Sequence, residues 1–141
     1  GDGIVSTILS TSDVSTYISA SLVDGGNVYF GGGGGGGSEN NFSATFNAPG
    51  GKGGGGDGVG GASPIVGNNG IDYSGGGSGG SNNTVTGLSN RGSGGKGVVI
   101  IRVLESNKGT AASSGTVESF LASDNNNFRI FIFKDSGTYT V

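Results

Sequence analysis

The stretch Val28-Tyr29-Phe30-Gly31-Gly32-Gly33-Gly34-Gly35-Gly36-Gly37 decides the fold, because a β-branched and aromatic strand signal runs straight into seven consecutive glycines. Glycine has no Cβ and loses the most freedom on ordering, so such a run is either a flexible linker or a segment packed where no side chain fits. Residues 31–97 hold 28 glycines in 67 positions. Glycine blocks recur at 50–51, 53–56, 60–61, 75–77, 79–80 and 94–95. Excursions at 38–49, 62–74 and 81–93 separate them, and their Asn and Ser content reads as surface loops.

On either side the sequence turns to strands. In residues 1–30, Ile4, Val5, Ile8 and Leu9 open the zone, and Tyr17-Ile18-Ser19-Ala20-Ser21-Leu22-Val23 suits a half-buried strand. Asp24-Gly25-Gly26-Asn27 reads as a hairpin turn into Val28. In residues 98–141, Val98-Val99-Ile100-Ile101-Arg102-Val103-Leu104 has the near-continuous apolar character of a strand buried on both faces. Phe128-Arg129-Ile130-Phe131-Ile132-Phe133 follows after a loop, and Asp135-Ser136-Gly137 turns into a closing strand. Apolar residues do not recur at helical spacing beyond a turn, and Gly disfavours helix by about 1 kcal/mol relative to Ala. The expectation is an all-β single domain, residues 1–141, with essentially no α-helix. N-terminal strands (1–30) and C-terminal strands (98–141) flank a glycine core with surface loops (31–97).

A linker need not be bracketed by the strongest strands in the chain, which argues that the glycine zone is ordered. Collagen is excluded, since Gly is not every third residue and only Pro49 and Pro64 are present. A plain sheet is poor because Gly leaves a strand nothing to pack. A bundle of extended left-handed helices remains, with three residues per turn and backbone groups free to pair with neighbours. Residues 31–37 would sit in its middle. Ordering each residue costs roughly 1–2 kcal/mol and a net hydrogen bond returns about 0.5–1.5 kcal/mol. The bundle therefore needs an apolar anchor, expected from Phe30, Ile100, Phe131 and Phe133.

Composition closes several functional classes. There is no Cys, hence no disulfide framework or thiolate metal site, and no His, the common acid–base group and metal ligand. Seven scattered basic residues and a net charge of −3 argue against nucleic acid as a partner. No apolar run approaches the roughly 20 residues of a membrane span. The chain opens at Gly1 and contains no Met, so the expectation is that a cleaved leader or a larger protein precedes it.

Local motifs carry little chemistry. Gly50-Gly51-Lys52-Gly53 and Gly94-Gly95-Lys96-Gly97 lack the Ser or Thr a phosphate loop needs after Lys. Asp124 to Asp135 departs from a calcium loop at Phe128 and Arg129. Asp13, Asp24, Asp57, Asp72 and Asp124 are too dispersed to pair as acid and base. Asn41 and Asn82 sit in glycosylation-type triplets, at chance frequency for so much Asn and Ser. No catalytic, metal or cofactor site is expected. Aromatics in the excursions are the better candidates. Asn41, Phe42, Phe46, Ile71, Asp72 and Tyr73 fit receptor-contact loops, the alternative being satellite clusters folded back on the core.

Gly94-Gly95-Lys96-Gly97-Val98-Val99-Ile100-Ile101-Arg102, together with the glycine block entered from Val28-Tyr29-Phe30, resembles glycine-rich domains of tailed-phage structural proteins. Phe131-Ile132-Phe133 and Ser136-Gly137-Thr138-Tyr139-Thr140-Val141 look like another element of them. The plan over residues 28–104 and 128–141 is similar to the distal adhesins of T-even-type phages. The resemblance implies a polyglycine II sandwich whose loops meet a host cell-surface receptor, in a non-enzymatic tail-fibre or adhesin domain at a virion surface or in the extracellular space. It also departs from the family: there the Gly-Thr-Phe-Thr-Val-like strand precedes the glycine core, whereas here its counterpart comes last. Gly137, Thr138, Tyr139, Thr140 and Val141 then form a candidate assembly strand, ending one unit of a tandem array or completing a neighbour's sheet. The alternative function is a repeating architectural subunit of a filament or virion decoration, a homo-oligomer or polymer joined by these strands. An ice- or crystal-binding surface would need a flat Thr or Ser array, which the irregular excursions do not offer.

Overall fold

The computed structural model describes residues 1–38, 46–61, 66–82 and 92–141. Near the N-terminus, β1 (Ile4–Ser6), β2 (Val23–Asp24) and β3 (Asn27–Phe30) form an antiparallel sheet in the order β1-β3-β2. The expected hairpin is present: Asp24 pairs with Asn27, and Gly25 and Gly26 hold φ of 55° and 79°. Two consecutive positive φ values make the turn whose twist matches the strands, and glycine adopts them without a Cβ penalty.

Between β1 and β2 the expected strand is instead helical, which corrects the near-absence of helix. Here α1 (Thr11–Val14) continues through a wider π turn, Ser15–Ser19, and a tighter 3-10 turn, Ala20–Leu22. A further 3-10 turn covers Glu105–Asn107. Ser10 caps α1 by accepting the Asp13 N–H at 3.0 Å. Hydroxyls of Ser15 and Thr16 donate to the carbonyls of Thr11 and Ser12, four residues back. Val14, Ile18 and Leu22 lie four apart, a helical stripe hidden among β-branched residues. Val14 and Leu22 are buried, and Tyr17 stacks on Phe120 with ring centroids 3.8 Å apart. Burial of that stripe outweighs strand propensity, a preference worth at most about 1 kcal/mol per residue.

The C-terminal zone supplies β6 (Val99–Leu104), β7 (Thr110–Ser113), β8 (Val117–Leu121), β9 (Phe128–Phe133) and β10 (Gly137–Thr140). Strand β9 is central in the sheet β6-β9-β8, and Ile130 and Ile132 are fully buried. Strand β6, expected to be buried on both faces, is an edge strand with Val99 60% exposed. Its residues from Ile100 to Val103 are half-buried and its two ends exposed, as an edge position allows. Two strands lie in what reads as loop from sequence: β7 and β8. Strand β7 pairs with β10 and β8 with β9 in a single register, Val117 opposite Phe133 and Ser113 opposite Gly137. The four strands are thus one long hairpin bent at 114–116 and 134–136.

Leu9, Val14, Leu22, Val28, Ala122, Ile130 and Ile132 form one core between the two sheets and the helical turns. Phe30, Ile71, Val98 and Ile100 pack against it. These are the points where the chain enters, touches or leaves the glycine zone, so the apolar anchor grips that zone directly.

The zone itself is laced by backbone hydrogen bonds between segments. Gly77 N–H donates to Gly32 C=O at 2.8 Å, and Gly56 to Gly77 and Gly35 to Gly56 at 2.9 Å. Gly80 then donates to Gly35 at 2.8 Å, Val59 to Gly80 at 2.9 Å and Ser38 to Val59 at 3.3 Å. The bonds climb like a staircase around three parallel segments, 32–38, 56–59 and 77–80, advancing three residues per circuit. Other segments surround them. Gly33 donates to Gly1, Gly51 to Gly33, Asn68 to Asp57, Gly79 to Asn68 and Gly95 to Gly76. Strand β4 (Phe46–Ala48) pairs with β5 (Gly58–Gly60) on the same bundle. The block 31–37 bonds to several segments, as expected of a central position. It is not enclosed, however: Gly34, Gly36 and Gly37 remain exposed.

Close approach makes glycine necessary at particular places. A Cβ on Gly35 would overlap the carbonyl oxygen of Ala48, whereas one on Gly36 would meet nothing within 4 Å. We predict that Gly35→Ala lowers stability by about 1–3 kcal/mol or more, through forced separation of backbones. Gly36→Ala should be neutral or slightly stabilising, by up to about 1 kcal/mol, because it only restricts the unfolded chain. Urea unfolding midpoints measure both, and equal midpoints would contradict the packing.

Candidate functional site

One turn of the glycine zone carries most of the exposed chemistry. Its backbone is fixed first: Ile71 N–H donates to Gly54 C=O at 2.8 Å, and Gly31 N–H to Ser74 C=O at 2.9 Å. The Ser74 hydroxyl donates to Ile71 C=O at 2.5 Å and accepts the Gly76 N–H at 2.9 Å. On the other side Gly75 N–H donates to Lys96 C=O at 3.0 Å, and Asp72 Oδ1 accepts the Lys96 N–H at 3.1 Å. Held this way, Tyr73 adopts a φ of 62°. A bulky residue in the left-handed region is an outlier that surrounding contacts must impose, and such outliers concentrate at functional sites.

Two ammonium groups face the Tyr73 ring. Lys96 Nζ stands 5.7 Å from its centroid and Lys134 Nζ 5.3 Å, each within the range of cation–π attraction. Lys134 also lies 3.9 Å from Glu118. Asp72 and Lys96 are exposed, and Tyr73 and Lys134 half-buried. An aromatic ring beside two ammonium donors and a carboxylate has the chemistry that a hydroxylated ligand could use: an apolar face, and charged groups that donate and accept hydrogen bonds.

The other sequence candidates divide. Ile71 packs against the apolar core, a satellite contact rather than a free one. Asn41 and Phe42 lie outside the described residues, as does the Phe46 side chain, although the Phe46 backbone opens β4. Asp72 and Tyr73 are brought together with Lys96 and Lys134, which sequence analysis missed. Lys134 is remote in sequence, and Lys96 stands in a glycine run that signals only a surface charge. Gly137, Thr138, Tyr139 and Thr140 form β10, paired within the chain to β7, and Val141 ends beyond it. Asn82 is buried, and its amide nitrogen, where a glycan would attach, donates to Gly61 C=O at 2.9 Å.

Residues 6–104 match the family model described as a glycine-rich domain. The chain belongs to that family. No curated protein and no solved structure matches it. The matched span of this glycine-rich domain includes Tyr73 and Lys96 but ends with β6, so Lys134 and the bent hairpin β7–β10 lie beyond it. The match speaks of glycine-rich sequence and does not extend to tail fibres.

The scattered acids of the glycine-rich domain serve its framework. Asp57 accepts the Gly50 N–H and Asp2 the Lys52 N–H, each as an end cap between segments. Asp13 accepts the Ser123 N–H, Asp24 pairs with Lys52, and Asp124 takes both guanidinium nitrogens of Arg102 at 3.0 Å. Among the described residues no cluster of acids gathers to hold a metal ion, and no helix is long and apolar enough to cross a membrane.

Glu105 shows the strongest electrostatic effect. Hydrogen bonds from Arg129 and then Lys108 hold its carboxyl at about 2, down from 4.5. The Arg102 guanidinium lowers Asp124 in the same direction. A carboxylate with a depressed folded pKa adds stability above its unfolded pKa and loses it as pH falls through the folded one. Stability is therefore expected to decline between pH 4.5 and 2, with a smaller decline in Glu105→Gln. Urea titrations across that window test it, and identical slopes for the two proteins would contradict it.

Proposed function

We propose that this glycine-rich domain is a non-enzymatic structural and binding module, in which a rigid polyglycine II scaffold displays loops to a surface ligand. Its setting is a virion surface or the extracellular space, in the manner of a tailed-phage fibre or adhesin domain, with residues 1–141 acting as one unit. The six-bond staircase carries this conclusion. Polyglycine II has three residues per turn and no internal hydrogen bonds, so its backbone groups bond to neighbours. Bonds that link three parallel segments at steps of three residues are what that conformation predicts.

Rigid presentation also explains why a strained aromatic is useful. Tyr73 sits on the bundle rather than on a free loop, so ordering it costs little when ligand arrives. Asn41 and Phe42 remain candidate contacts by their sequence alone, as an aromatic and an amide in a polar excursion.

A second function, an architectural subunit joined through its terminal strands, is favoured by one observation. Strand β10 carries no charge and, among the described residues, has a partner on one edge only.

Labelled protein applied to glycan arrays and to a panel of bacterial cells tests the binding function. Tyr73→Ala and Lys96→Ala should each weaken binding about tenfold, the loss of roughly 1.4 kcal/mol, with unchanged unfolding midpoints. Absence of binding throughout, or binding indifferent to Tyr73, Lys96 and Phe42 substitutions, would contradict it.

A further inference from the structure

The bent hairpin ends in an edge that invites a partner. Ser114 N–H donates to Ser136 C=O at 3.1 Å, which marks 114 and 136 as a hydrogen-bonded pair. Such pairs alternate along an antiparallel ladder. Positions 138 and 140 therefore bond to Ala112 and Thr110 on β7, while the backbone groups of Gly137 and Tyr139 face the free edge. On the neighbouring strand β9 that same edge is covered by β6. Strand β6 departs at Val99 toward the glycine zone, and among the described residues no other strand covers that edge of β10.

Sheet edges are normally guarded by charge, proline or bulges. Neither β10 nor β7 contains a charged residue or a proline. Tyr139 turns inward, its ring 5.3 Å from Phe131 and its hydroxyl accepting the Gly109 N–H at 2.9 Å. Thr138 and Thr140 are exposed on the outer face.

The order Thr138-Tyr139-Thr140 is a palindrome centred on a residue whose backbone groups point outward. Antiparallel pairing of this strand with itself sets Thr138 opposite Thr140 twice and Tyr139 opposite Tyr139. Threonine and aromatic cross-strand pairs are favourable ones. We infer that β10 pairs with β10 of a second copy of this chain, about a two-fold axis through Tyr139. The product is a four-stranded sheet of β7 and β10 from each copy. An isologous contact closes on itself, so it yields dimers and not filaments. The contact belongs to the second, architectural function but narrows it from a polymer to a dimer, and it is independent of what the Tyr73 surface binds.

Sedimentation of the intact chain over a range of concentrations tests the pairing. Dimers are expected. The double variant Thr138→Lys, Thr140→Lys places like charges opposite one another and should weaken dimerisation by on the order of tenfold or more. The matching variant Thr138→Glu, Thr140→Glu should also be monomeric alone, and mixing the two variants should restore a dimer. That rescue separates a lost contact from a lost fold. A chain that stays monomeric, forms filaments, or dimerises equally well in either variant would overturn the proposal.

Discussion

A backbone N–H taken away from water must find an acceptor, and in a glycine zone no side chain can supply the burial that would compensate a missing one. The structure meets that demand by making each glycine segment the partner of the others. Gly32, Gly77, Gly56, Gly35, Gly80, Val59 and Ser38 form one continuous path of donors and acceptors. Every segment on the path depends on two others, so the arrangement is cooperative and tolerates little local change. Asp2, Asp57, Asp72 and Asn69 close the ends by accepting N–H groups from Lys52, Gly50, Lys96 and Ser93.

Hydrogen bonds alone do not hold such a bundle. Each returns about 0.5–1.5 kcal/mol net, against roughly 1–2 kcal/mol for ordering a residue. The deficit is offset by the apolar core shared by the N-terminal sheet, the helical turns and β9. Past the ladder of β1 with β3, Gly3 and Gly31 donate instead to Lys52 and Ser74, and Gly33 donates to Gly1, so the core sheet leads directly into the glycine segments. Arg102 adds a second staple. It bonds to Ile8 C=O and Asp124, and lies over the Phe128 ring at 4.7 Å, joining the first and last zones of the chain.

Much of this was legible in the residues. The β2–β3 turn followed from two glycines between Asp24 and Asn27, and β9 from its run of Phe and Ile broken only by Arg129. Helical turns at 11–22 were missed because Val, Thr, Tyr and Ile favour strands locally, while the four-residue recurrence of Val14, Ile18 and Leu22 acts only once a core exists to receive it. Strands β7 and β8 were missed because Thr110-Ala111-Ala112-Ser113 has little apolar signal and owes its conformation to β10. At the candidate site, Tyr73 was visible as an aromatic in a polar excursion. Its lysines were not, since only the fold brings Lys134 across from β9, and the strain at Tyr73 is imposed by the glycines that pin it.

The central claim is that the glycine zone is a lattice locked by bonds between segments. Amide hydrogen exchange measured by NMR tests it most directly. The amides of Gly35, Gly56, Val59, Gly77 and Gly80 should exchange nearly as slowly as those of Ile130 and Ile132 in β9, while the amide of exposed Gly36 exchanges faster. Protection confined to β9 and its neighbours, with the five staircase amides exchanging like an unfolded chain, would make the zone a linker and contradict the account.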